Sequence, residues 1–185
     1  MASTSDHITP EQAALIREAK LFFVASVAPD LSAGPAGQGP VNLSPKGGAP
    51  LHIIDDRTVA YLDFRGSGNE TARHAQAGGG SGDAQAGGGS GDAKHQGPLT
   101  LMVMSLDAQD AAIVRLYGHA TVTPLDQSPH ADRLRADAPG VPGLPERQVV
   151  EVRVESTATS CGYGVPVYEY AGDRDQAARG RRYKE

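Results

Sequence analysis

Residues 58–74, TVAYLDFRGSGNETARH, restrict the possible folds more than any other stretch of the chain. The first seven alternate and are rich in β-branched and aromatic side chains, which predicts a strand. Val59, Tyr61 and Asp63 fall on one face of that strand, and Ala60, Leu62 and Phe64 on the other. Gly66-Ser67-Gly68 then breaks the pattern, and Ser67 with Glu70 forms an S-x-x-E capping box that predicts a helix start. A strand that enters a helix through a glycine turn leaves backbone N–H groups at the helix mouth. Those donors and the positive end of the helix dipole favour a phosphate or a carboxylate. A plain strand-to-helix turn is the alternative reading of the same residues.

Upstream, Thr9-Pro10-Glu11-Gln12 predicts a helix start, with Thr9 as N-cap, Pro10 in the first turn and Gln12 closing a capping box. Ala13, Leu15, Ile16 and Ala19 give this helix an apolar side. Residues 21–28 (LFFVASVA) predict a mostly buried strand, 29–40 a loop, and 41–45 (VNLSP) and 51–54 two short strands. Downstream, 99–106 (LTLMVMSL) are apolar on both faces, as suits a central or interface strand. Residues 113–122 and 148–155 alternate and predict two more strands. A short helix is expected over 128–138, a turn over 161–166, and a tail or closing helix over 171–185. Six or seven strands with few helices indicate a mainly β protein, a small closed or half-closed antiparallel barrel with peripheral helices.

Between these elements, residues 75–83 and 84–92 are the same nonapeptide, AQAGGGSGD, twice over. No side chain in it exceeds alanine among the aliphatics, so it cannot form a core, and it reads as a flexible loop insertion. A calcium β-roll also has a period of about nine. Here, however, the aspartate stands one place too early for that motif, and the large apolar residue each coil needs is missing.

A length of 185 residues suits a single domain. The net charge of −5 argues against a nucleic-acid partner. No apolar run is long enough to span a membrane, and the first residues lack a secretory pattern. A single cysteine, Cys161, excludes an intrachain disulfide and fits a reducing compartment. A cytoplasmic location is the expectation. No histidine spacing suggests a metal site.

The motifs VNLSPKG (41–47), TVAYLDFRGSGNETARH (58–74), LYGHATV (116–122) and TSCGYGVPVYEY (159–170), in that order, resemble the pyridoxamine 5′-phosphate oxidase-like flavoproteins. The resemblance covers about residues 21–170. It implies a six-stranded antiparallel split β-barrel of the FMN-binding type. It also implies a homodimer with flavin mononucleotide (FMN) in clefts at the interface. By the same resemblance Lys46, Ser67, Asn69 and Thr71 hold the flavin phosphate. Asn42, Leu43 and Ser44 run beside the isoalloxazine, and Tyr61, Leu62 and Asp63 approach the cofactor from the paired strand. The family's vitamin B6 oxidases end in a motif containing tryptophan; this chain has none, so vitamin B6 is not implied as substrate. What remains is an FMN-dependent oxidoreductase acting on a small molecule. The alternatives are a non-catalytic flavin carrier and a protein that binds the deazaflavin F420. No catalytic acid or base stands out.

Overall fold

The computed structural model describes residues 2–32, 40–66, 68–78, 96–108, 110–138 and 145–173. Its strands are β1 (Ser3–Ser5), β2 (Leu21–Val27), β3 (Val41–Gly47), β4 (His52–Asp55), β5 (Thr58–Phe64), β6 (Gln96–Met104), β7 (Ala112–Pro124) and β8 (Glu146–Cys161). Among the described residues three α-helices accompany them: α1 (Pro10–Glu18), α2 (Glu70–Gly78) and α3 (Ala131–Asp137). The strands form one antiparallel sheet in the order β3-β2-β6-β7-β8-β5-β4, with β1 pairing the far end of β8. The sheet coils round a core of Phe22, Val24, Val59, Tyr61, Leu99, Leu101, Leu116, Val150 and Val152. β3 and β4 end the sheet, and among the described residues no ladder joins β3 to β4 or β5, so the barrel stays split there.

The expected elements are largely present. The Thr9 capping box forms as read: the Gln12 N–H donates to Thr9 Oγ1 at 3.4 Å and the Thr9 N–H to Gln12 Oε1 at 3.0 Å. The two faces of β5 separate as the alternation predicts. Val59 and Tyr61 point into the barrel, whereas Ala60 and Leu62 join a smaller cluster with Ala131, Leu134 and Val149 beneath α3.

Four details differ from the sequence reading. Among the described residues the sheet has eight strands rather than six or seven, because Ser3–Ser5 pairs with Thr157–Thr159 at the end of β8. Both partners are serine- and threonine-rich, so neither shows an apolar alternation. For the same reason β8 runs six residues beyond the expected 155, up to Cys161. The helix expected over 128–138 is shorter: a 3-10 turn at Leu125–Gln127 precedes α3, which starts at Ala131. Finally, α2 runs to Gly78, four residues into the first nonapeptide. Those residues are therefore helix and not loop, and Ala75 is buried against the barrel. The rest of the repeat, 79–92, and the tail beyond 173 lie outside the described residues. No helix among the described residues is long and apolar enough to cross a membrane.

Close approach explains why the helix needs this sequence. A Cβ at Gly97 of β6 would stand 2.5 Å from the Ala75 Cα, and one at Gly78 would stand 2.9 Å from the Gly97 Cα. Only glycines let α2 lie this near β6. In the long β7–β8 ladder, the register slips between Tyr117 and Gly118, and a Cβ at Gly118 would run into the Arg153 carbonyl. That bulge lets the sheet bend into a barrel.

Deleting residues 84–92 leaves one AQAGGGSGD in place, so α2 keeps both Ala75 and Gly78. Shortening the connection should be neutral or stabilising by up to about 0.6 kcal/mol, measured by urea denaturation. Deleting 75–92 should be costlier, because Gln96 would then follow at the place of Gly78.

Candidate functional site

The split between β3 and β5 is where polar and charged side chains collect. Along β3, Asn42, Ser44 and Lys46 point inward, while Val41 and Leu43 are exposed on the opposite face. Tyr61 and Asp63 reach the same space from β5, and Asn69 and Thr71 from the start of α2. Ser44, Lys46, Tyr61, Asp63, Asn69 and Thr71 border a cavity of about 270 Å³.

Charge organises this cavity. Lys46 Nζ donates to Asp63 Oδ1 at 2.8 Å and so ties one edge of the split to the other. The second oxygen of Asp63 accepts from Gln148 Nε2 at 2.9 Å, and Gln148 also donates to Asn69 Oδ1 at 3.0 Å. Arg147 Nη1 stands 3.9 Å from Asp63 Oδ2. The Lys46 ammonium lies 5.8 Å from the centre of the Tyr61 ring, within reach of its negative face. Burial, helped by the Asp63 carboxylate, pushes the Tyr61 hydroxyl well above its ordinary 10, so it stays protonated. That hydroxyl is buried and has no hydrogen-bond partner among the described residues.

A second network fixes the β3 side of the cavity. Asn42 Nδ2 donates to Thr71 Oγ1 at 3.1 Å and to Ser26 Oγ at 3.4 Å. Ser44 Oγ donates to Asn42 Oδ1 at 3.2 Å, and Ser26 Oγ shares a 3.0 Å hydrogen bond with His74 Nδ1. The chain of contacts locks strand β3 to helix α2 and holds the Thr71 hydroxyl at the helix mouth.

The residues expected from the sequence thus divide. Asn42, Ser44, Lys46, Tyr61, Asp63, Asn69 and Thr71 come together at the split. The Leu43 side chain faces away, and the Leu62 side chain packs in the cluster beneath α3. Ser67 lies outside the described residues. The helix itself starts later than the S-x-x-E reading implied. The Asn69 carbonyl accepts the Arg73 N–H at 3.0 Å, which puts Asn69 in the cap position. The sequence motifs do not single out Gln148, Arg147, Ser26 or His74 as site residues. Gln148 had a legible signal, since it shares its row with the buried Val150, Val152 and Val154. Among the described residues no group of three or more metal-ligating side chains converges.

No protein-family model and no curated protein matches the chain. Solved structures do. A variant of HupZ from Group A Streptococcus is 20% identical, with 83% of this chain and 99% of that chain covered and a TM-score of 0.54. A candidate pyridoxamine 5′-phosphate oxidase from Lactobacillus delbrueckii is 18% identical, with 83% and 94% covered and a TM-score of 0.52. The fold is that of the pyridoxamine 5′-phosphate oxidase-like split barrels. Within it, the Lys46–Asp63 pair links β3, one terminal strand of the sheet, to β5, the neighbour of the other terminal strand β4.

That pair is largely buried and should act as a unit. Lys46→Met and Asp63→Leu are each expected to destabilise by about 2 kcal/mol, in the range for charge-assisted hydrogen bonds. The double variant should cost less than their sum by about 1 kcal/mol, because neither charge is then left unpaired. Urea denaturation of the four proteins checks this; strict additivity would mean that the pair does not couple.

Proposed function

We propose that the chain binds FMN at the barrel split and serves as an oxidoreductase of the pyridoxamine 5′-phosphate oxidase-like class, working as a homodimer on a small molecule. The observation that carries the reading is the convergence of Lys46, the Thr71 hydroxyl and the α2 start on one cavity. A phosphate is well served by a point charge, a hydroxyl and helix-mouth N–H groups together. Lys46 already has Asp63 as a partner, so a phosphate would share or displace that contact. The remaining walls suit a flat ring: Pro45, Tyr61, Ala72 and Val150 are apolar or aromatic, and Ser44, held by Asn42 Oδ1, offers a polar edge. Bound FMN would supply the redox chemistry, while these side chains orient it and exclude water.

The dimer rests on two features. One chain encloses about 270 Å³, at or below the size of ordinary cofactor sites, so a second copy would complete the walls. The outward row of β3 also leaves Val41 at 69% and Leu43 at 64% exposure, an apolar edge that needs cover. Beside it, β2 carries Phe23 and β6 carries Met102, paired in register and only half-buried. A second copy of this chain is the occupant that would cover this face and wall the cleft at once.

Titration with FMN and riboflavin, followed by flavin fluorescence, tests the cofactor. FMN should bind native protein more tightly than riboflavin. Lys46→Ala should weaken FMN by roughly ten- to a hundredfold and leave riboflavin nearly unchanged. Equal weakening of both ligands would place Lys46 on the ring or the fold instead of the phosphate. F420 titrated in parallel tests the deazaflavin alternative, and reduction of the bound flavin by NADH or NADPH separates an enzyme from a carrier.

Light scattering should give twice the chain mass for native protein. Leu43→Glu puts a charge on the exposed row of β3 and should shift the population to monomers without unfolding the barrel. A native monomer that still holds FMN tightly would overturn the shared site.

A further inference from the structure

Arg147 was invisible in the sequence, and the register shows why it matters. Asp63 of β5 pairs with Gln148 of β8, but the next residue, Phe64, pairs with Glu146. Arg147 is therefore the extra residue of a β-bulge, released from the ladder. Bulges re-aim side chains, and this one turns Arg147 toward the glycine turn. Arg147 Nη1 donates to the Gly68 carbonyl at 3.1 Å and Nη2 to the Gly66 carbonyl at 3.4 Å. Its side chain is only 19% exposed and stands 3.9 Å from Asp63 Oδ2.

We infer that Arg147 is the positioning residue of the anion site: its two-carbonyl grip sets the turn before α2 and adds the second positive charge that a phosphate needs. This rests on the phosphate reading of the cavity given above.

The geometry supports both parts. In a trans peptide the C=O and the following N–H point in opposite directions. A Gly68 carbonyl held by Arg147 therefore sends the Asn69 N–H away from the guanidinium, at the mouth of α2. Gln148, the next residue of β8, holds the Asn69 side chain, so two consecutive residues brace the turn from one side. Lysine could not do this, since only the planar guanidinium carries several donors in a fixed fork. The charge balance also requires it. Asp63 offsets Lys46, and Glu70, whose carboxylate lies against Gly68, is paired with Arg73 at 3.4 Å. The cavity walls carry Lys46 against the carboxylates of Asp63 and Glu70, and Arg147, 3.9 Å from Asp63 Oδ2, adds a positive charge beside them that Lys46 alone would not supply.

The test uses inorganic phosphate and isotope-labelled protein at constant ionic strength, reading the backbone amides of Asn69, Glu70 and Thr71 by NMR. Native protein should show saturable shifts at those amides with millimolar phosphate. Arg147→Gln should weaken phosphate about tenfold, and Arg147→Lys should recover only part of that. Riboflavin affinity should change less than twofold in either variant, a selectivity that a general loss of stability would not produce. If Arg147→Gln fails to fold, Arg147→Lys with its retained charge carries the comparison. Unchanged phosphate affinity in the folded variants would overturn the inference and leave FMN binding standing. Arg147-dependent phosphate binding without FMN binding would remove the cofactor and keep the anion site. FMN binding with no response at these amides would overturn the inference outright.

Discussion

Strand β8 is the spine on which the protein depends. It is sixteen residues long and pairs with β7 along one edge, and with β5 and then β1 along the other. Backbone hydrogen bonds that long commit four strands to one sheet, and the bulge opposite Gly118 bends them into a barrel. Its inward row of Val150, Val152 and Val154 supplies the core. Its first residues, Arg147 and Gln148, reach the turn before α2, so the spine and the candidate site are one continuous piece of chain.

The split follows from that arrangement. With β8 holding β5 and β4 at one end of the sheet and β2 holding β3 at the other, β3 and β5 face each other without a ladder. Polar groups at such a seam must find partners or cost stability. Lys46 and Asp63 satisfy each other across it, and Asn42, Ser44, Ser26, His74 and Thr71 form the second network. The same need that keeps the seam satisfied concentrates donors and charge in one cavity, which is the chemistry a phosphate-bearing ligand would use.

α2 is fitted to this seam by small residues. Ala72 and Ala75 are buried, and Gly78 with Gly97 permits a backbone approach that no side chain would allow. The first nonapeptide therefore has two roles: its opening four residues finish the helix, and its remainder belongs to the connection toward β6.

Local pattern alone determined much of this protein. The alternation of residues 58–64 set both faces of β5 and the Thr9 capping box set α1, whereas VNLSPKG was placed at a cofactor cleft only through the family resemblance. Periodicity and capping are short-range properties, so they can be read within a dozen residues. What only the tertiary structure decided depends on partners far apart in the chain. The pairing of Ser3–Ser5 with β8 lacks any apolar signal, because both segments are polar. The Asn69 cap and the full length of α2 depend on Gln148 and Gly97. The turn of Arg147 toward Gly66 and Gly68 comes from a one-residue slip between β5 and β8, and register is a relation between strands that neither strand carries alone.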